Sequence, residues 1–279
     1  MPDTHPGHEP VPSQHIAARA GASRNRSIPS GAIILAMDSA AQQPAEHATL
    51  RSLFLDGPAG RLEALLDPGV IASSRETIRC AVALAHPHPL GGGSMHNKVV
   101  YHAARVFRDL GWPTLRFNFR GVGLSEGAHD GLAESEDFLA ALDWLGAALH
   151  LPLLAAGFSF GAAMMLSAVP QQQDVAACLA LGLPLHSPNQ RYAYPQLADW
   201  HLPTLFLSGE RDVFASPMEL AAAVKPASVH ARLQILPDSD HFFTGHLGAM
   251  QDAIHAWVHR EILPLPARAT TTGPAVAEQ

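Results

Sequence analysis

Ala155-Ala156-Gly157-Phe158-Ser159-Phe160-Gly161-Ala162-Ala163-Met164-Met165 is the stretch that decides how this chain is read. The apolar run from Leu151 to Ala156 predicts a short buried strand, and the small, apolar run after Gly161 has helical character. A G-x-S-x-G pattern therefore lies between a strand and a helix, the context that gives the pattern meaning. A serine on so sharp a turn holds a strained backbone, and a side chain on either flank would strike the neighbouring strand or helix. The turn pushes the hydroxyl out of the sheet, beside the N–H groups and positive dipole end of the following helix. An incidental serine in a tight turn would not explain the strand and helix on its two sides.

Outward from this turn the chain alternates strand and helix. Leu50 to Leu55 and Arg61 to Leu66 flank Gly57-Pro58-Ala59-Gly60, a hairpin signal with a loop rather than a minimal turn. Thr77 to Ala85 reads as a strand buried on both faces. Asn97 to Leu110 carries apolar residues at helical spacing and stops at Gly111. Thr114 to Phe119 returns to strand. Leu132 to Leu149 is a second helix, with Glu134, Glu136 and Asp137 in its first turns, where the dipole favours acids. After the serine helix, which runs to Val169, come a strand (Val175 to Leu183), a polar loop (Pro184 to Trp200) and a strand (Pro203 to Leu207). A helix (Pro217 to Val224), a strand (Arg232 to Leu236) and a closing helix (His246 to Ile262) complete the body. Such alternation predicts an α/β domain with a parallel sheet covered on both faces.

With 279 residues, 47% of them hydrophobic, the chain can bury one large core. That core is expected within 46–265. Residues 1–45, rich in Pro, His, Ala, Ser and Gly without periodicity, and the Pro, Ala and Thr-rich tail 266–279 are expected to be disordered. Arg24 and Arg26 before Ala32 to Met37 faintly resemble a signal peptide, but that apolar run is short and a long polar segment precedes it. Met37 is an alternative start. No stretch approaches the ~20 apolar residues of a membrane span. A net charge of −7 with scattered Lys and Arg points away from nucleic acid. Cys80 and Cys178 lie in apolar runs and read as buried, reduced thiols of a cytoplasmic protein.

A serine is a weak nucleophile and needs a base, which needs an orienting acid. On a strand–serine–helix framework these follow later in the chain, acid before histidine, each after a strand. Leu205 to Leu207 leads through Ser208 and Gly209 to Glu210, Arg211 and Asp212. Asp212, beyond the Gly209 bend, is better placed to cross the sheet top than Glu210, which leaves the strand at once. Ile235 and Leu236 lead through a polar turn to His241, just ahead of the last helix, so His241 is the expected base. Asp238 and Asp240 lie close in sequence, but neighbouring residues point apart.

The developing oxyanion needs two backbone N–H groups. Phe160, directly after the serine, supplies one. The second comes from His86-Pro87-His88-Pro89-Leu90-Gly91-Gly92-Gly93, where the prolines have no N–H and leave His88 and Leu90. His86, His88 and His96 without a companion acid make a poor metal set. His255 and His259, four apart on the last helix without an intervening glutamate of the zinc motif, read as a solvated face.

These residues together resemble the α/β-hydrolase superfamily. His86 to Gly92 with Asn97-Lys98-Val99-Val100, and Arg116-Phe117-Asn118-Phe119-Arg120-Gly121-Val122-Gly123-Leu124-Ser125-Glu126-Gly127, are similar to its small, nearly lidless bacterial branch. The likeness covers Leu50 to Ile262; Gly93 and the N-terminal forty residues depart from it. It implies an α/β-hydrolase fold with a mostly parallel, eight-stranded sheet, helices on both faces and a minimal cap. It also implies acyl-transfer chemistry without cofactor or metal, and places Ser159, Asp212 and His241 on the triad positions. Related folds take the second oxyanion donor at the third residue from His86, which is His88. Arg120 to Ser125 falls on a mainly architectural loop.

Pro184 to Trp200, where a cap usually enters, is too short for a multi-helix lid. Its Tyr192, Tyr194 and Trp200 either line an open pocket or pin the loop to the body. The expected activity is hydrolysis of short or small soluble carboxylic esters through an acyl-enzyme, with a small-molecule ester as the only implied partner. A peptidase or thioesterase on the same triad is the alternative enzyme. A catalytically silent scaffold used for binding is the alternative of another class, though binding alone would not require all three triad residues.

Overall fold

The structure, a computed structural model, describes residues 49–69, 80–187, 190–227, 229 and 231–264. The segments expected to be disordered, and the first residues of the Thr77 strand, lie outside these. The opening strands β1 (Arg51–Gly57) and β2 (Gly60–Asp67) pair antiparallel. Gly57 pairs directly with Gly60, so the turn holds only Pro58 and Ala59. The expected longer loop is thus corrected: Gly60 closes the hairpin at φ +122°, a conformation open to glycine alone.

Six further strands complete the sheet: β3 (Ala81–Ala85), β4 (Thr114–Phe117), β5 (Leu153–Phe158), β6 (Val175–Leu181), β9 (Thr204–Gly209) and β10 (Ala231–Leu236). Two short strands between them, β7 (His186–Ser187) and β8 (Gln190–Arg191), pair only with each other. The eight-stranded order is β1-β2-β4-β3-β5-β6-β9-β10. β2 meets β4 antiparallel, and every pairing from β4 to β10 is parallel.

Alternation along the central strands builds two cores. Ala81, Ala83 and Ala85 of β3, with Leu153 and Ala155 of β5, face helices α2 (Glu134–Leu149) and α3 (Phe160–Ala168). Leu220 and Val224 of α4 (Pro217–Val224) join that same cluster. Val82, Leu84, Leu154, Ala156 and Phe158 face α1 (Lys98–Asp109) and α5 (Leu247–Trp257) on the other side. Strands buried on both faces are apolar at every position, as these are. Asn97 caps α1 by accepting from the Val99 N–H at 2.9 Å. The closing helix leaves regular α geometry after Trp257 and ends in a π turn, Val258–Ile262.

α2 begins two residues later than its apolar pattern predicts. The Asp130 carboxylate accepts from the N–H groups of Leu132 and Ala133, both at 2.8 Å, and holds them outside the helix. The Pro184 to Trp200 connection holds the β7–β8 ladder and a 3₁₀ turn, Pro195–Asp199. Trp200 is buried and donates its Nε1–H to Thr204 Oγ1 at 2.8 Å; Tyr194 donates its hydroxyl to Pro184 O at 2.6 Å. Tyr192 packs against the core beside them. Of the two roles open to these aromatics, pinning the loop is the one their bonds serve.

Candidate active site

β5 delivers Ser159 to the carboxyl end of the sheet, and the backbone turns there with φ +55° and ψ −120°. Positive φ at a serine is uncommon and costs on the order of 1–3 kcal/mol, so the surroundings must hold it. They do so through the Ser159 N–H, bonded to Leu181 O of β6 at 2.8 Å, and the Ser159 carbonyl, which accepts from Ala162 and Ala163. The flanking glycines are required by close approach. A Cβ on Gly161 would lie 2.6 Å from the His86 carbonyl oxygen and 2.7 Å from that of Ala85, and one on Gly157 would collide with the Gly161 carbonyl.

Ser159 Oγ lies 2.9 Å from His241 Nε2, and His241 Nδ1 lies 2.8 Å from Asp212 Oδ2. Since a carboxylate only accepts, the Asp212 side chain fixes the neutral imidazole as its Nδ1–H tautomer and leaves Nε2 free to accept from the serine hydroxyl. Ser159, His241 and Asp212 are 82 and 29 residues apart in sequence. Asp212 and His241 are both almost fully buried. Asp212 also accepts from Ser208 Oγ–H at 2.9 Å and from the Phe214 N–H at 2.8 Å. Phe214, Phe158 and Phe242 surround the imidazole with ring centroids at 4.4, 5.1 and 5.1 Å.

Glu210, the other acid of that turn, is exposed and points elsewhere: its Oε2 accepts from the Asp238 N–H at 2.9 Å. Together with the Arg211 N–H to Ser239 O bond at 2.8 Å, this stitches the acid loop to the histidine loop. Arg211 and Asp238 also pair across that seam. Two non-glycine residues at positive φ, Asp238 and Phe243, bracket His241.

At the head of α3, the Phe160 N–H has no intrahelical acceptor, as for any first-turn donor. The His88 ring packs 4.9 Å from the Phe160 ring, so the loop after β3 lies alongside the serine turn. His88 Nδ1 accepts from the Leu90 N–H at 3.2 Å, which occupies the other donor considered from sequence. His86 anchors this loop. It accepts from the Phe119 N–H at Nε2 (3.1 Å), so its proton sits on Nδ1 and is donated to Pro87 O at 2.6 Å. Burial lowers its pKa from 6.5 to about 4, keeping it neutral, and with both nitrogens engaged it has no lone pair for a metal. His255 and His259 are exposed, as expected of a solvated face.

Sequence reasoning missed several contributors. Ser208 reads as the first residue past a strand, and nothing local marks it as a donor to Asp212. Glu134 and Asp137 read as first-turn acids, yet both are fully buried. Asp137 accepts from Arg120 Nη2 at 2.7 Å, from its Nε, and from its backbone N–H at 2.9 Å, locking the loop after β4. That arginine, amid glycines and apolar residues, is the signal that a buried acid was needed. Beyond Phe242 a cavity of about 270 Å³ opens, lined by Asn97, Lys98 and Val99 at the start of α1 and by Phe242, Thr244 and Leu247.

Comparison with known proteins gives three results. The family model described as alpha/beta hydrolase domain matches residues 78–257. An uncharacterized protein of Rickettsia prowazekii is 35% identical over 202 residues, covering 68% of this chain and 81% of its own length. Among solved structures, an α/β serine hydrolase without lid from Xanthomonas campestris is 31% identical, with a TM-score of 0.68 over 80% of this chain and 100% of its own. An esterase of Pyrococcus furiosus, 14% identical, shares the fold with a TM-score of 0.65 over 76% of this chain and 91% of its own.

Proposed function

The chain belongs to the α/β-hydrolase family, and from that premise we propose that it hydrolyses small carboxylic esters by serine acyl transfer. The observation that carries this reading is the unbroken hydrogen-bonded line from Ser159 through His241 to the buried Asp212. As Ser159 Oγ attacks the ester carbonyl, its proton passes to His241 Nε2, and Asp212 stabilises the resulting imidazolium. The tetrahedral oxyanion receives the N–H groups of Phe160 and His88. Collapse expels the alcohol, which takes the proton from His241, and water activated by the same imidazole then releases the acid from Ser159. No cofactor or metal enters the scheme.

Small substrates are favoured by the minimal cap, which offers little surface to enclose a long acyl chain. The test is labelling with a fluorophosphonate, mapping of the modified residue, and hydrolysis of p-nitrophenyl butyrate by wild type and Ser159→Ala. Labelling at Ser159 and a loss of ~10³ or more in kcat for the alanine variant are expected. Retained turnover in Ser159→Ala would overturn the assignment. Faster turnover of matched thioesters or peptides would move the substrate class while leaving the serine in place.

A further inference from the structure

The loops that carry His88 and His129 meet at Phe160. Glu134, in the first turn of α2, is fully buried, an unusual position for a glutamate unless it is paired. Its Oε1 faces His129 Nδ1 at 2.5 Å and accepts from the Asp130 N–H at 3.0 Å, while Oε2 accepts from the Gly131 N–H at 3.0 Å. The carboxylate therefore accepts from His129 Nδ1–H and sets the orientation of the ring. So oriented, His129 stands edge-on to the His88 ring, with centroids 4.8 Å apart, and 5.7 Å from the Phe160 ring. The His88, His129 and Phe160 rings thus form a three-membered cluster in which each touches the other two.

We propose that His129, held by Glu134, is a positioning residue that packs against both the His88 and the Phe160 rings and so sets the spacing of the two oxyanion-binding N–H groups. The inference rests on the assignment of His88 and Phe160 as donors. Oxyanion stabilisation depends on donors held at about 2.7–3.1 Å from the developing charge, and a misplacement of roughly 1 Å can cost ~10²-fold. Plain packing would be served equally well by apolar side chains in place of the half-buried His129 and its buried partner Glu134, since such pairs add little net stability.

His129→Ala removes the ring, His129→Phe keeps an aromatic ring of similar size but cannot bond Glu134, and Glu134→Gln keeps the shape while disturbing the tautomer. Each is compared with wild type on p-nitrophenyl acetate and for binding of phenylboronic acid, whose tetrahedral adduct with Ser159 places a boron-bound oxygen where the oxyanion forms. His129→Ala should lower kcat by about 10- to 100-fold with KM within about twofold, and weaken boronate binding by a matching factor. Glu134→Gln and His129→Phe should fall between it and wild type. Folding is followed by circular dichroism, and His129→Phe serves if the alanine variant does not fold. A folded variant with wild-type kcat, or with reduced kcat and unchanged boronate affinity, would overturn the proposal. Wild-type protein that neither binds the boronate nor reacts at Ser159 would instead remove the underlying reading of the site, and this inference with it.

Discussion

Replacing Asp212 by asparagine swaps one oxygen for an NH₂ at nearly constant volume, so its effect can be worked out bond by bond. In one orientation the amide nitrogen takes the Oδ2 position, 2.8 Å from His241 Nδ1 and 2.9 Å from Ser208 Oγ. The serine hydroxyl can rotate to accept, and the amide oxygen still accepts from the Phe214 N–H at 2.8 Å. The imidazole must then give up its Nδ1 proton and carry it on Nε2, where it points at Ser159 Oγ. A donor there cannot act as a base. In the flipped orientation the NH₂ meets the Phe214 N–H, two buried donors without an acceptor, at a cost of about 1–3 kcal/mol. The first orientation is therefore preferred, and it is the inactive one.

The expected loss is ~10⁴ in kcat, or roughly 5 kcal/mol at ~1.4 kcal/mol per decade, with little change in stability. Glu210→Gln is the control. That side chain is exposed, and glutamine still offers an oxygen to the Asp238 N–H, so kcat/KM should stay within about threefold of wild type. Both variants are assayed on one short ester, with far-UV circular dichroism to exclude unfolding. A crippled Glu210→Gln beside a nearly normal Asp212→Asn would move the acid by two residues and refute the reasoning about this turn. Two nearly normal variants would refute the triad mechanism itself.

Acyl-chain preference follows from the small cap: kcat/KM should be highest for chains of roughly two to six carbons, without a rise above the critical micelle concentration of a longer ester. Such a rise would reveal a mobile lid. The buried His86 makes stability depend on pH in a definite direction. Its pKa is about 4 when folded against an ordinary 6.5, so between these values the unfolded chain binds more protons. The stabilisation is fully present above pH 6.5 and is lost as pH falls toward 4, by about 3 kcal/mol at ~1.4 kcal/mol per pH unit. Urea unfolding of wild type and His86→Gln across that range should show the steeper decline in wild type, and parallel curves would contradict the role of burial.

The fold was legible wherever a local rule and a long-range demand coincide. Ala81 to Ala85 and Leu153 to Phe158 are apolar at every position because both faces are covered, and this shows in the residues themselves. Gly157 and Gly161 were legible for the same reason: crowding by neighbouring backbone restricts the residue type at those positions. Asp212 was separated from Glu210 by the Gly209 bend alone. The tightness of the Gly57 to Gly60 turn and the buried Glu134 were not legible, because a first-turn acid looks the same in sequence whether it faces water or His129. With 17 histidines in the chain, no local signal distinguished His129 from the rest.

The short connection after β6 shows why substrate information was hardest to read. Seventeen residues, with no regular α-helix among those described, cannot bury an independent core, so the apolar side chains of the segment are drawn into holding it to the body. Leu197 and Trp200 enter the main core, and Tyr194 is so enclosed that burial raises its phenol pKa strongly. Aromatic residues that read as candidates for a pocket are thus committed to anchoring. The large exposed ring close to the triad is Phe242, packed on His241 and forming one wall of the cavity at the start of α1. For the proposed ester hydrolase, selection among substrates would then fall to the loop that carries His241 and to the loop that carries His88. Both of these are held in place by side chains from elsewhere in the chain: Glu210 and Arg211 for one, His129 and Glu134 for the other. If the proposed ester hydrolysis holds, removing these clamps should alter chain-length preference more than substitutions at Tyr192 or Tyr194.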